Sequence, residues 1–502
     1  MQTSLLLAVV LVCSCLASPG LCLEPIEELG KALFFDASLS NPPGQSCAAC
    51  HGPEAGGTGP DSAVNATGAV EPGVVHTRAG NRKPPTFAYG GFTPILHKCG
   101  GNAGDCMSGG MGGDGTGGGG MGSGGMGSGG MSGGMSGGGM SGGGMSGGGM
   151  GGGGMGGGGM MADTFAGGIF WDGRATGWTL GDPLAEQAMG PFLNPLEMNN
   201  PNAKFVCLNV MRTGYAVLFE EVWGPGSLDC VKNVSGTYER IARSIAAYER
   251  SAEVSPFNSR FDEFWRQVEA KRAVPRSGIP AVWAINGMNW VKFKGLGLTD
   301  AELAGLAVFN GKGKCSTCHL LQPMHGSSYP LFTDFRYHNL GVPKNPMNPF
   351  YAMPRPWNPD GANWVDQGLG GFLAKTAGMK DAAGTSRDYT EYAADNYGKH
   401  RTPTLRNADL RPAPTFVKAF GHNGYFKSLQ EIIHFYNLRD VLPVCEVPDP
   451  PKDRMGGATC FPPPEVAENI NRTDMGSLGL TPQEGMALIG FLKTLSDSYT
   501  AP

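Results

Sequence analysis

Leu429, Ile432, Ile433 and Tyr436 stand at i, i+3, i+4 and i+7, a spacing that puts all four on one face of a short helix. Residues 238–252 carry a similar amphipathic pattern and predict another helix. Thr299-Asp-Ala-Glu302 and Thr481-Pro-Gln-Glu484 read as capping boxes, the second opening a helix that ends near Ser496. Long connections rich in Gly and Pro separate these segments, so the pattern predicts a mainly α protein with long irregular loops. Residues 4–13 form a short apolar run followed by small residues around Ala17 to Gly20, the layout of a signal peptide, although Lys and Arg are missing from its start. No later stretch is long and apolar enough to span a bilayer.

Against this background two motifs carry chemistry. Cys47-Ala-Ala-Cys50-His51 and Cys315-Ser-Thr-Cys318-His319 are both C-x-x-C-H, the pattern for covalent attachment of haem c. The two thiols reach the vinyl groups of one porphyrin, and the adjacent imidazole becomes the proximal iron ligand. A zinc or dithiol reading explains either motif alone less well than haem explains the pair. Two covalently bound haems imply redox work.

Composition then sets the compartment and the domains. With 502 residues and 40% hydrophobic content, the chain can fill two or three cores. Of thirteen cysteines, three lie in the leader and four attach haem. The remaining six, Cys99, Cys106, Cys207, Cys230, Cys445 and Cys460, fall in near-neighbour pairs that suggest three local disulfides, although other pairings remain open. Disulfides and haem c call for an oxidising compartment, so the protein is expected in the periplasm or at the cell surface. Cys15 and Cys22 leave membrane association through a lipid anchor open. A net charge of -5 with mixed signs gives no reason to invoke nucleic acid.

The domain reading is a signal peptide over 1–22, an N-terminal haem domain over 23–265, a linker over 266–297 and a C-terminal haem domain over 298–502, which the resemblance described next makes the peroxidatic and the electron-transfer domain respectively. Residues 100–162 are a Gly/Met-rich low-complexity insertion in the first domain, expected to be disordered, with Met at intervals of about five from Met121 to Met160. Its thioethers suit Cu(I), or act as sacrificial oxidant sinks.

The motifs together resemble the di-haem cytochrome c peroxidase and MauG family over nearly the whole mature chain except this insertion. The residues that carry the resemblance are Leu29-Gly-Lys-Ala-Leu-Phe-Phe-Asp36 before the first haem motif, Phe170-Trp-Asp-Gly-Arg174, Glu186-Gln187 with Pro191 and Glu197-Met198, Thr402-Pro-Thr-Leu-Arg-Asn407, and His422-Asn-Gly424. The resemblance implies two cytochrome-c-like (class I) haem domains, with hydrogen peroxide reacting at the first haem and electrons relayed by the second. It places Trp171 between the haems, and Gln187 and Glu197 in the distal pocket of the first. A carboxylate there moves a proton between the peroxide oxygens.

Tyr436 lies fourteen residues beyond His422, where the peroxidases of this family have an axial methionine and MauG a tyrosine. A phenolate favours oxidised iron, which points to the MauG-like branch: a high-valent di-haem state that oxidises a partner protein, including aromatic residues. His76, nine residues before Pro85, is either the histidine that blocks the first haem in the peroxidases or a surface-loop residue. Lys83 stands where the family's calcium-ligating asparagine is usual, leaving Asn81 as the candidate calcium ligand, with carbonyls near Arg411 and Ala413. His97, His325, His338, His400 and His434 show no special spacing and are read as structural or surface residues. The alternatives are a cytochrome c peroxidase fed by a small cytochrome or cupredoxin, and a copper-binding or electron-transfer surface protein.

Overall fold

The computed structural model describes residues 22–100, 106, 164–445, 447, 450–453 and 456–498. The leader through residue 21, and all of the Met-rich repeat with its candidate copper ligands, lie outside the described residues.

Helices dominate, as the sequence pattern predicts. In the N-terminal half they are α1 (Pro25–Phe35), α2 (Ser62–Ala66), α3 (Pro183–Leu193), α4 (Ala203–Val210), α5 (Ala216–Trp223) and α6 (Val234–Arg250). The C-terminal half adds α7 (Arg260–Arg272), α8 (Asp300–Asn310), α9 (Gly368–Leu373), α10 (Leu429–Leu438) and α11 (Pro482–Lys493). The helix expected over 238–252 starts earlier because Asn233 accepts a cap bond from Gly236 N, and it stops at Arg250 because Ser251 turns extended. Both predicted capping boxes form, with Thr299 bonding Glu302 and Thr481 bonding Glu484.

Each half is built around one close helix crossing. α1 buries Leu29, Leu33 and Phe34 against the Tyr238, Ile241 and Ile245 face of α6. They meet at Gly30, where an added Cβ would overlap the Ser244 carbonyl. In the second half α8 crosses α11 at Gly305, where a Cβ would overlap the Ala487 carbonyl. Glycine is required at both points because backbone, not a movable side chain, lies opposite.

The segment 266–297, expected as a linker, is packed instead. α7 continues to Arg272, and Val282, Ile285, Phe293 and Leu296 join Phe261, Phe264, Leu303, Leu306 and Phe491 in the second core. The Gly and Pro residues of that stretch disguise a buried apolar set spaced too irregularly to show periodicity.

Two short antiparallel ladders finish the fold: β1 (His97–Lys98) with β2 (Phe165–Ala166), and β3 (Tyr337–His338) with β4 (His400–Arg401). The first brings together the two ends of the insertion, and Cys99–Cys106 bonds beside it. Cys207–Cys230 and Cys445–Cys460 are also bonded, so the three local disulfides form. The halves are stitched by Arg82, which pairs with Asp172 at 2.6 Å and Asp366 at 2.6 Å. No helix among the described residues is long and apolar enough to cross a membrane.

Candidate functional site

Each C-x-x-C-H motif forms a single 3-10 turn. Cys47–Ala49 and Cys315–Thr317 wind so that His51 N bonds Cys47 O at 3.0 Å and His319 N bonds Cys315 O at 2.9 Å. That turn sets both thiols and the imidazole on one side. Cys47, Cys50, Cys315 and Cys318 carry no disulfide. Burial pushes the Cys50 and Cys315 thiols up to about 12, so they remain thiols, the form that adds to a vinyl group. Burial also lowers His51 and His319, keeping both rings neutral. The Nδ1 of His51 faces Gly57 O at 3.2 Å and that of His319 faces Phe332 O at 2.8 Å. A carbonyl only accepts, so Nδ1 holds the proton and Nε2 presents its lone pair, as an iron ligand must.

Both turns open into large cavities. The one beside His51 takes in about 1520 Å³ of non-protein space and the one beside His319 about 1420 Å³, open solvent included. Free, half-buried thiols, oriented imidazoles and an open cavity at each turn fit a covalently bound tetrapyrrole in each.

The first cavity gathers Gln187 and Pro191 from α3 with Glu197 from the loop beyond it. Glu186, the neighbour of Gln187, serves structure instead, accepting bonds from the backbone of Gly177, Thr179 and Leu180. Burial raises the Glu197 carboxyl while Arg174 and Asn194 pull it back. Arg174 is anchored over the Phe170 ring at 3.8 Å and on Asp172 at 3.0 Å. Asn81 lines this cavity too, and its carbonyl accepts from Asn348 Nδ2 at 2.9 Å. His76 is exposed and is not among the residues lining the cavity.

Glu249 was not legible as a site residue. It lies on the buried face of α6, 3% exposed, and lines the first cavity with Glu71. Burial raises Glu249 to about 8 and Glu71 to about 7. The available signal was a carboxylate four residues after Ile245, in line with an otherwise apolar stripe.

The second cavity is lined by His319, Ile432, Tyr436, Met475 and the Thr402–Asn407 segment that follows β4. Tyr436 therefore shares a cavity with His319, on the helix face that also carries Leu429 and Ile432. Burial, with Cys318 and Cys315 nearby, pushes its phenol above the ordinary value, so its anion needs a facing cation. Behind this wall Arg406, 1% exposed, holds Asp262 of α7 through two bonds of 3.0 and 2.8 Å.

The two cavities share a wall of Lys83, Pro85, Thr86, Trp171, Arg401 and Pro403. Trp171 is held at its centre: Nε1 donates to Lys83 O at 2.8 Å, and its own carbonyl accepts from Arg401 N at 2.9 Å. Nearby, the buried Lys418 ammonium donates to the carbonyls of Ala55, Asn407 and Leu410 at 2.7–2.8 Å, tying the first half to the second.

Comparison with known proteins agrees with this geometry. Residues 24–270 match the family described as di-haem cytochrome c peroxidase. Methylamine utilization protein MauG of Paracoccus denitrificans is 28% identical over 95% of this chain and 90% of its own. The fold is shared with the diheme peroxidase BthA from Burkholderia thailandensis, at 24% identity and a TM-score of 0.59 over 95% of this chain and 87% of that one. A MauG-like protein associated with microbial copper homeostasis superposes at 20% identity and a TM-score of 0.50, over 95% and 92% of the two chains. With two haem-attachment turns, two cavities and this match, residues 24–270 belong to the di-haem cytochrome c peroxidase family, and the whole chain is similar to its member MauG.

Proposed function

We propose that the protein is an exported peroxidase of the MauG-like branch, which takes oxidising equivalents from hydrogen peroxide and delivers them to a partner protein. The observation that carries this reading is Tyr436, whose phenol stands on the wall of the cavity that holds His319, together with Met475. When bound, the two haems supply the redox-active iron, in two cytochrome-c-like units.

The chain's own residues supply the rest. Glu197, buried beside Gln187, takes the proton from peroxide and returns it to the leaving oxygen, and its raised carboxyl can be reprotonated. His51 and His319 orient as neutral ligands through their carbonyl contacts. Trp171, fixed by Lys83 and Arg401, bridges the cavities and passes electrons or holes between them. An exposed His76 outside the first cavity supports a first site open to peroxide without prior reduction. A calcium ion near Asn81 and copper at the Met-rich segment belong to the same reading, and Lys418 Nζ already donates to the carbonyls between the halves.

Rapid mixing of the fully ferric protein with hydrogen peroxide, without reductant, tests it. The expected result is an immediate absorbance change at both haems, absent in Tyr436→Phe. No reaction until one haem is reduced would instead indicate a gated cytochrome c peroxidase fed by a small donor protein.

A further inference from the structure

Glu465, with a side chain 4% exposed, stands between the second cavity and a pair of oxidisable rings. Toward the cavity its Oε2 lies 3.8 Å from His422 Nε2, and the His422 ring meets Trp171 edge-on at 6.5 Å. Away from the cavity its Oε1 accepts from the Asp366 amide at 3.1 Å and from the Tyr351 hydroxyl at 3.4 Å. The Tyr351 ring lies 6.1 Å from that of Trp364, tilted by 46°. Trp364 is half-buried between the exposed Asn363 and Val365, so this line of residues runs from the cavity wall to the surface.

The chemistry of the line suits one-electron steps. Phenol and indole rings give up an electron more readily than the other ring side chains, and here one of each stands in contact. The Lys344 ammonium lies 4.2 Å over the Tyr351 ring and is pinned there by the carbonyls of Ala362 and Trp364 at 2.7 and 2.8 Å. A fixed positive charge opposes a second one on the ring, so Tyr351 loses an electron only if its hydroxyl proton leaves too. Glu465 Oε1 is the carboxylate oxygen within reach of that proton, and the Asp366 amide holds it in place.

We propose that Glu465, Tyr351 and Trp364 form the exit through which oxidising equivalents leave the second haem site for an electron-rich aromatic side chain of the partner protein. The exit rests on the peroxidase reading given above. Tyr351 passes an electron toward the second haem site and its hydroxyl proton to Glu465. Trp364 then returns an electron to Tyr351, which takes its proton back from Glu465. The partner's ring refills Trp364 with an electron and releases a proton to water. Reducing one peroxide to two waters consumes two electrons and two protons, so the exit is used twice and the partner's ring supplies both.

The test adds hydrogen peroxide to the haem-loaded full chain with a nitroso spin trap and no partner, then maps the trapped peptides by mass spectrometry. Adducts at Tyr351 and Trp364 are expected, and a native chain that carries neither overturns the exit without recourse to any variant. In Tyr351→Phe and in Glu465→Gln the Trp364 adduct should fall roughly tenfold or more at unchanged haem content, since one lacks the oxidisable hydroxyl and the other the proton acceptor. An undiminished Trp364 adduct in either variant also overturns the exit, by showing that Trp364 is oxidised from solution or by another path. If the fully ferric chain does not react, the mapping is repeated after one haem is reduced. Silence of the ferric chain then counts against the MauG-like reading, while the adducts at Tyr351 and Trp364 still decide the exit.

Discussion

Trp171 donates its indole N–H to the carbonyl of Lys83 at 2.8 Å, and both residues face both haem cavities. The bond fixes the ring on the wall that the two cavities share. Replacing Trp171 with Phe keeps the packing and removes the donor and the oxidisable indole. Both haems should remain attached at native content, while the peroxide-driven change at the second haem slows by roughly tenfold or more. Stopped-flow traces at the two haem wavelengths check this, and native kinetics in the variant would remove Trp171 from the path.

Glu197→Gln removes the proton carrier while leaving the cavity shape. Peroxide consumption is expected to fall by about 10²-fold or more. Because burial raises the Glu197 carboxyl, the native rate should climb with pH above the ordinary carboxylate range as the base form appears, and the variant profile should be flatter there. Initial rates across pH for both proteins decide it.

Glu249 makes a separate pH prediction. Its carboxyl is raised by burial from the ordinary 4.5 to about 8, so between these values the folded chain holds a proton that the unfolded chain has released. Stability from this group is therefore complete below about 4.5 and declines as pH rises toward 8, with a limiting slope of about 1.4 kcal/mol per unit. Denaturant midpoints of native protein and Glu249→Gln, followed over pH, should show a shallower decline in the variant.

Arg406 and Asp262 form a fully buried pair, with 0% side-chain exposure for both. Arg406→Met leaves the Asp262 carboxylate without its guanidinium and should cost about 3–5 kcal/mol. The same substitution loosens the wall of the second cavity, so the second haem should be attached less completely than the first. Thermal unfolding and haem content per chain measure the two effects.

The sequence alone determined what depends on neighbours along the chain. Haem attachment is legible because two thiols and an imidazole within five residues make a site on one turn wherever that turn is placed. The capping boxes at Thr299 and Thr481, the local disulfides and the face of α10 that carries Tyr436 are legible for the same reason. Family resemblance extended that reading to Gln187, Glu197 and Trp171, but it could not say what holds them. Tertiary structure decided the rest. Residues 266–297 looked like a linker because their apolar side chains follow no period, and only packing against α8 and α11 reveals them as core. Glu249 became a cavity residue only when α6 turned its face inward. His400 carried no spacing signal, and only the long-range fold brought it beside Asp366 and His422, because a cluster assembled from distant segments leaves no local pattern to read.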